Sequence, residues 1–276
     1  MAATRRPLDA ALVEGGWAAD LESARALVAD GRVLVGGAPA LTAARAVARG
    51  EPIRVLEPRR FVGRGGDKLD GALELLGVEV RGRTALDVGA STGGFTDCLL
   101  SRGARLVLAV DVGRAQLHER LLADPRVRSL EGTNVRDLQP VDVAGFLGGP
   151  AEVVTADLSF TSLTGHLATL VGLGAPDATL VVLVKPQFEV DHATASRGRG
   201  VIRDPGDWRA ALDRCVSAIR AAGAGIMGVV ASPLPGASGN AEFFVHALSG
   251  GSAREGDVGA ALDDAIGVAL ARGVDR

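Results

Sequence analysis

Of the thirty Lys and Arg residues, only two are lysine, Lys68 and Lys185. Arginine stays protonated in proteins, whereas a lysine sheds its proton when buried or set beside another cation. These two are therefore the first candidates for chemistry that arginine cannot do. Lys185 closes the apolar run Leu180-Val181-Val182-Leu183-Val184 and opens Lys185-Pro186-Gln187-Phe188-Glu189. A snorkelling edge residue is the bland alternative there. Lys68 follows Gly63-Arg64-Gly65-Gly66-Asp67 and stands at the expected start of a helix, where the helix dipole disfavours a cation. Two acids have comparable settings. Asp157 lies in Thr155-Ala156-Asp157-Leu158-Ser159-Phe160 and Glu242 in Gly239-Asn240-Ala241-Glu242-Phe243-Phe244, each at the end of an expected strand.

A second constellation is Thr84-Ala85-Leu86-Asp87-Val88-Gly89-Ala90-Ser91-Thr92-Gly93-Gly94-Phe95. It reads as a buried strand, a glycine-rich turn and the opening of a helix near Phe95. Such a turn lets a ligand approach the backbone, and the helix start offers unpaired N–H groups. Position 91 is Ser, so the spacing is not that of dinucleotide binders. The D-x-G-x-x-x-G pattern from Asp87 to Gly93 instead suits S-adenosylmethionine (SAM). The expected cofactor contacts are Asp87, Gly89, Ala90, Ser91, Gly93, Gly94 and Phe95. Asp111, about 20 residues beyond the turn, is placed to bond ribose hydroxyls. Asn134 would meet the adenine edge, and Asp157 lies on the same rim.

These residues need a frame. From residue 84 strands and helices alternate: Thr84–Val88, Leu106–Val110, Val127–Leu130, Glu152–Ala156, Thr179–Val184, Ile226–Val230 and Glu242–Leu248. Seven strands with helical crossovers imply an α/β, doubly wound, mostly parallel sheet. The last two strands are joined by the Pro/Gly loop 232–239, which makes them an antiparallel pair at one edge. An amphipathic helix from Trp208 to Ala221 and a final one from Glu255 to Arg272 complete this part. Before it, residues 8–16 and Leu21 to Asp30 read as two helices, the second capped by Asp20, followed by strands at 32–35 and Ile53–Leu56. The expected organisation is a small α+β domain over 1–57, a connector over 58–63 and a catalytic domain over 64–276.

Composition narrows the classes. The 276 residues are 47% hydrophobic and 23% charged with a net charge of −3, so any nucleic-acid surface must be local. Seven Phe, two Trp and no Tyr argue against base stacking on an aromatic platform. No signal-like start and no membrane-length apolar run are visible. Cys98 and Cys215 fall on apolar helix faces and read as core residues, which suits a reduced, cytoplasmic setting. His118, His166, His192 and His246 are dispersed, so no metal site is expected.

In order and motif context, Lys68, Asp157, Lys185 and Glu242 match the Lys-Asp-Lys-Glu set of the FtsJ/RrmJ-type ribose 2′-O-methyltransferases. The stretch Ser23 to Gly37 resembles the S-four-type RNA-binding domain. With Gly65-Gly66-Asp67-Lys68-Leu69, the glycine turn, Asp157-Leu158-Ser159-Phe160, Lys185-Pro186-Gln187-Phe188-Glu189 and Ser232-Pro233-Leu234-Pro235-Gly236, the chain resembles the TlyA family over nearly its whole length. That resemblance implies SAM-dependent 2′-O-methylation of cytidines in ribosomal RNA of one or both subunits, an activity linked to capreomycin and viomycin sensitivity. It implies RNA contacts in the first domain, by position Arg5, Arg6, Arg25 and Arg32, with Arg64 beyond the connector. The chemistry is consistent with the residues. A ribose hydroxyl is a poor nucleophile and needs a positioned base. Lys185 near Lys68 would have its pKa lowered by like charge and burial, with Asp157 and Glu242 orienting the lysines. Which lysine is the base stays open.

The expected partner is ribosomal RNA, bound by a monomer with no membrane association. Two alternatives come from other classes. The family also carries a haemolysin label, but a membrane-active protein would need a signal, a span or a basic amphipathic helix. An RNA-binding protein with an inactive SAM fold would not need the intact lysine–acid set. A nicotinamide oxidoreductase is disfavoured by the glycine spacing.

Overall fold

The computed structural model describes residues 5–29, 31–57, 60–236, 238–250 and 257–274. Expectations for the first four residues, for Asp30, for Pro58 in the connector and for Glu255 lie outside these. Two compact units result, Met1–Arg59 and Arg60–Arg276.

In the first unit, β1 (Arg5–Pro7) leads directly into α1 (Leu8–Glu14), and α2 (Leu21–Ala29) follows. Asp20 caps α2 by accepting from the Ser23 amide at 2.8 Å, while the Ser23 hydroxyl oxygen accepts from the Asp20 amide at 3.1 Å. Then come β2 (Val33–Val35), β3 (Ala38–Pro39), β4 (Ala46–Ala48) and β5 (Ile53–Val55). β2 is the centre of a β3-β2-β5 sheet, and β1 pairs antiparallel with β4. Leu8, Leu12, Ala24, Val28, Val33 and Val47 form its small core. β1, β3 and β4 are additions to the two strands the sequence suggests. Each is two or three residues long, and Arg-Arg-Pro has no strand signature of its own, so these strands exist through pairing.

The second unit opens with α3 (Arg64–Leu75). This helix begins a full turn earlier than Lys68, so the lysine sits inside the helix and not at its positive end. Gly66 permits the early start: a β-carbon there would fall 2.4 Å from the Phe61 side chain. There follow β6 (Thr84–Val88), α4 (Gly94–Ser101), β7 (Leu106–Asp111), α5 (Glu119–Leu122), β8 (Val127–Glu131), α6 (Pro140–Leu147), β9 (Ala151–Ala156), α7 (Leu167–Leu173) and β10 (Gly174–Val184). Beyond β10 lie the short α8 (Pro186–Glu189) and α9 (His192–Arg197), then α10 (Pro205–Ala221), β11 (Ala224–Ala231), β12 (Phe243–Ser249) and α11 (Val258–Val274). α10 starts a turn before Trp208 because Asp204 caps it and Pro205 occupies its first position.

The strands form one sheet in the order β11-β12-β10-β9-β6-β7-β8. All pairings are parallel except those of β12, which runs antiparallel to both β10 and β11. The expected antiparallel pair is present, with the last strand inserted inside the edge strand β11. β12 begins at Phe243, so Glu242 stands one residue before it. Apolar clusters cover both faces of the sheet, one built on Leu108, Val154, Val182 and Val245, the other on Leu99, Val107, Val153 and Phe244. Cys98 and Cys215 are buried within them and free, and burial pushes the Cys215 thiol up to about 12.

Candidate active site

The carboxyl ends of the parallel strands share one rim. β6 runs out at Gly89, whose φ of 80° suits glycine, and a β-carbon there would lie 2.5 Å from the Asp157 carbonyl oxygen. The chain then turns through Ser91, a non-glycine at φ 47°, and Gly93 at φ 97°, where a β-carbon would fall 2.1 Å from Leu121. α4 starts immediately after. Asp111, at the end of β7, accepts from the Ser91 amide at 2.8 Å and from the Gly113 amide at 2.7 Å. Its carboxylate thereby fixes the turn and still faces a cavity of about 610 Å³, within the range of small-molecule sites.

Gly89, Ser91, Asp111, Asn134 and Asp157 line this cavity. Ala90, Gly93, Gly94, Phe95 and Asp87 do not; they form the layer behind the turn. Asp87 is fully buried and accepts from the Thr96 hydroxyl at 2.6 Å and the Thr155 hydroxyl at 3.1 Å. Burial raises its pKa to about 7, the two hydroxyls acting against that rise. Its position is that of a post beneath the turn. Asn134 uses its side-chain oxygen to cap the Arg136 amide at 3.0 Å. Val112 and Val135 supply apolar walls that the sequence did not single out. A carboxylate at the turn, an amide and apolar walls fit a nucleoside such as that of SAM.

Toward β10 the rim is built from side chains. Val182 pairs with Ala156, and Val184 pairs with Phe243. Asp157, Lys185 and Glu242 each lie one residue beyond or before these pairs, so they stand at the ends of three adjacent strands. Lys185 Nζ lies 2.5 Å from Asp157 Oδ1 and donates to Ser159 Oγ at 2.8 Å. Lys68 Nζ, reaching from α3, donates to Glu242 Oε2 at 2.6 Å. Both lysines are only 8% exposed, and Glu242 4%. α3 also approaches Asp157: a β-carbon at Gly65 would lie 3.9 Å from Asp157 Oδ2. The structure thus brings Lys68, Asp157, Lys185 and Glu242 to one place. Each lysine meets a carboxylate, Lys68 with Glu242 and Lys185 with Asp157, as the expected orienting role of the two acids requires.

Two further residues belong to this region. Phe160 is 93% exposed with φ 62°, and its ring lies 5.7 Å from that of Phe188, which in turn lies 5.9 Å from Lys185 Nζ. The scarcity of aromatics argues against base stacking on a broad platform, and this one ring pair lies on the rim. Glu189 accepts from the Ser162 hydroxyl at 2.8 Å, the Leu163 amide at 2.6 Å and the Thr164 hydroxyl at 2.7 Å. It ties the segment carrying Ser159 and Phe160 to the turn that follows Lys185.

The arginines expected to contact RNA divide. Arg5 is exposed, and Arg25 donates through Nε to Asp9 at 2.9 Å while its side chain stays 63% exposed. Arg6 pairs with Glu14, and Arg32 donates to the Leu56 carbonyl at 2.9 Å, so both are engaged within the first unit. Arg64 is exposed and donates to the Pro235 carbonyl at 3.1 Å. Among the described residues no group of His, Cys, Asp or Glu is arranged to hold a metal, and no helix is long and apolar enough to cross a membrane.

A seven-stranded sheet of this order, a glycine turn opening on a nucleoside-sized cavity and paired lysines and acids beside it define a Rossmann-like methyltransferase. The chain belongs to the FtsJ-like methyltransferase family, whose pattern it matches over residues 61–248. It is 45% identical over 88% of its length, and 90% of the relative's, to the 16S/23S rRNA (cytidine-2′-O)-methyltransferase TlyA of Mycobacterium tuberculosis. It is 35% identical, over 87% of this chain and 98% of the relative, to hemolysin A of Brachyspira hyodysenteriae. A solved structure from Streptococcus thermophilus that carries a hemolysin name matches with a TM-score of 0.75 at 31% identity, covering 100% of both chains.

Proposed function

We propose that this protein transfers a methyl group from SAM to the ribose 2′-hydroxyl of cytidines in ribosomal RNA. The observation that carries the reading is the convergence of Lys185–Asp157 and Lys68–Glu242 at the ends of three adjacent strands, beside the nucleoside-sized cavity. The names of the similar proteins supply the substrate class. Gly89 and Ser91 would let the cofactor approach the backbone, Asp111 would hold its ribose, and Val112 and Val135 would offer apolar walls to its base. The bound cofactor supplies an electrophilic methyl on a sulfonium. With that group bound, the methyl would pass to the 2′-oxygen and the cofactor would be released as the neutral thioether. The hydroxyl proton passes to the Lys185–Asp157 pair. Glu242 offsets the charge of Lys68, and Lys68 orients the hydroxyl from the α3 side. Phe160, at the edge of that cavity beside Phe188 and Lys185, offers a ring on which the target base can stack where the strand reaches the reacting pair.

In this reading the first unit is an S-four-type RNA-binding domain with Arg5 and Arg25 on phosphates, and the protein works as a cytoplasmic monomer. The test is incubation of purified protein with labelled SAM and ribosomal subunits, followed by mapping of ribose methylation. New 2′-O-methylcytidine in either subunit is expected. Label confined to bases or to protein would overturn the reading.

A further inference from the structure

A second cavity, of about 800 Å³, opens on the same rim on the other side of the lysine–acid pairs. It shares no lining residue with the first. Asp157 lines the first cavity, whereas Glu242 lines the second. The strand register places Lys185 between these two acids, so the two cavities flank the reacting lysine. An in-line displacement requires donor and acceptor to arrive from opposite sides. We propose that this second cavity holds the RNA strand bearing the acceptor ribose, with Arg203 and Arg272 on its phosphates. The inference rests on the ribose-methylation reading and assigns the acceptor its place.

Its chemistry suits a polyanion with flat apolar bases. The charged side chains lining it are Arg203, Arg272 and Glu242, and the last is offset by Lys68 at 2.6 Å. Local positive charge is what a chain of net charge −3 needs in order to hold RNA. Pro233 and Leu270 give apolar walls. Trp208 is a wall and not a platform, since its ring packs on Phe243 and its Nε1 donates to the Ile202 carbonyl at 3.0 Å.

The cavity is also held in shape before any ligand arrives. Buried Asn240 accepts from the Ile202 amide at 2.9 Å and donates to the Gly200 carbonyl at 2.8 Å, joining the two loops that face each other across it. Arg272 donates to the Ser232 carbonyl at 2.6 Å, which anchors the end of α11 and holds the guanidinium in the cavity's lining. Preorganised walls lower the ordering cost of binding. α11 lies beyond residue 248, where the family match ends. One wall of the acceptor site thus comes from outside the common methyltransferase core.

The test compares the full-length protein with Arg203→Glu, Arg203→Lys and the double variant Arg203→Glu/Arg272→Gln, using ribosomal subunits as RNA. Arg203 is exposed and precedes the α10 cap, so its replacement leaves the core intact. The charge reversal is expected to raise KM for the RNA about tenfold and to flatten the salt dependence of binding by about one unit of slope. Arg203→Lys should retain most of the affinity, and SAM affinity should be unchanged throughout. A photo-crosslinking residue in place of exposed Ser238 should label the RNA. Wild-type KM and salt slope in both charge variants, with no crosslink from position 238, would overturn the inference. Absence of methyl transfer by the wild-type protein would instead sink the reading it rests on, and the crosslink would still report on the cavity.

Discussion

The two halves of the rim are built by different means. On the β6–β8 side the cavity is shaped by backbone: positive φ at Gly89 and Gly93, and amides of Ser91 and Gly113 locked on Asp111. On the β9–β12 side it is shaped by side chains from four segments, residues 68, 157, 185 and 242, held as a buried pair, Lys68–Glu242, and a half-buried one, Lys185–Asp157. A backbone-built half tolerates little change but has no reacting group. On the proposed reading a side-chain-built half carries the reacting groups and survives single replacements as a fold. The two halves should therefore fail differently.

The sharpest break is expected on the backbone side. Gly93→Val drives a side chain into Leu121, 2.1 Å from the β-carbon position, at a backbone φ of 97°. It should abolish both cofactor binding and transfer and lower Tm, as read by calorimetry and a binding titration; retained cofactor binding would contradict the account. On the other side, Glu242→Gln should leave cofactor affinity intact while lowering kcat on the order of 100-fold or more. Because it leaves the buried Lys68 charge without its partner, it should also cost about 3–5 kcal/mol in denaturant unfolding. Phe160→Ala touches neither half's framework, since that ring is 93% exposed. It should leave stability unchanged and weaken RNA binding by about 1–3 kcal/mol, measured as KM for the RNA.

A further effect, read against pH, concerns Asp87, beneath the turn. Its pKa is raised to about 7 by burial from the ordinary 3.8. The folded protein therefore holds a proton that the unfolded chain has lost between those values. Stability contributed by this group is complete below about pH 4 and declines as pH rises toward 7. Asp87→Asn should flatten that part of the Tm profile, and an unchanged slope between pH 4 and 7 would refute the assignment.

What could be read from the sequence follows the same division. Backbone-built features leave local signatures: the D-x-G-x-x-x-G spacing and the alternation of strands and helices gave the turn and the seven strands directly. Lysine scarcity pointed to residues 68 and 185 and the motif context to their acids, but which acid each lysine meets depends on the α3 start and on strand register. Phe160 stands in the Asp157-Leu158-Ser159-Phe160 motif, but its exposure and left-handed backbone are set by the tertiary turn, and composition weighs all seven phenylalanines alike. Strands β1, β3 and β4 of the first unit carry no periodicity to detect. Glu189 and Asn240 were passed over for a related reason. A carboxylate with three local donors, or an amide joining two loops, has no sequence pattern.

The central claim is that the side-chain half performs the transfer and the backbone half holds the donor. It is tested most directly by Lys185→Ala, with SAM affinity measured by calorimetry and methyl transfer to ribosomal subunits measured in parallel. The account predicts wild-type SAM affinity with transfer reduced by about 10³-fold or more. Transfer near the wild-type rate, or loss of SAM binding together with transfer, would contradict it.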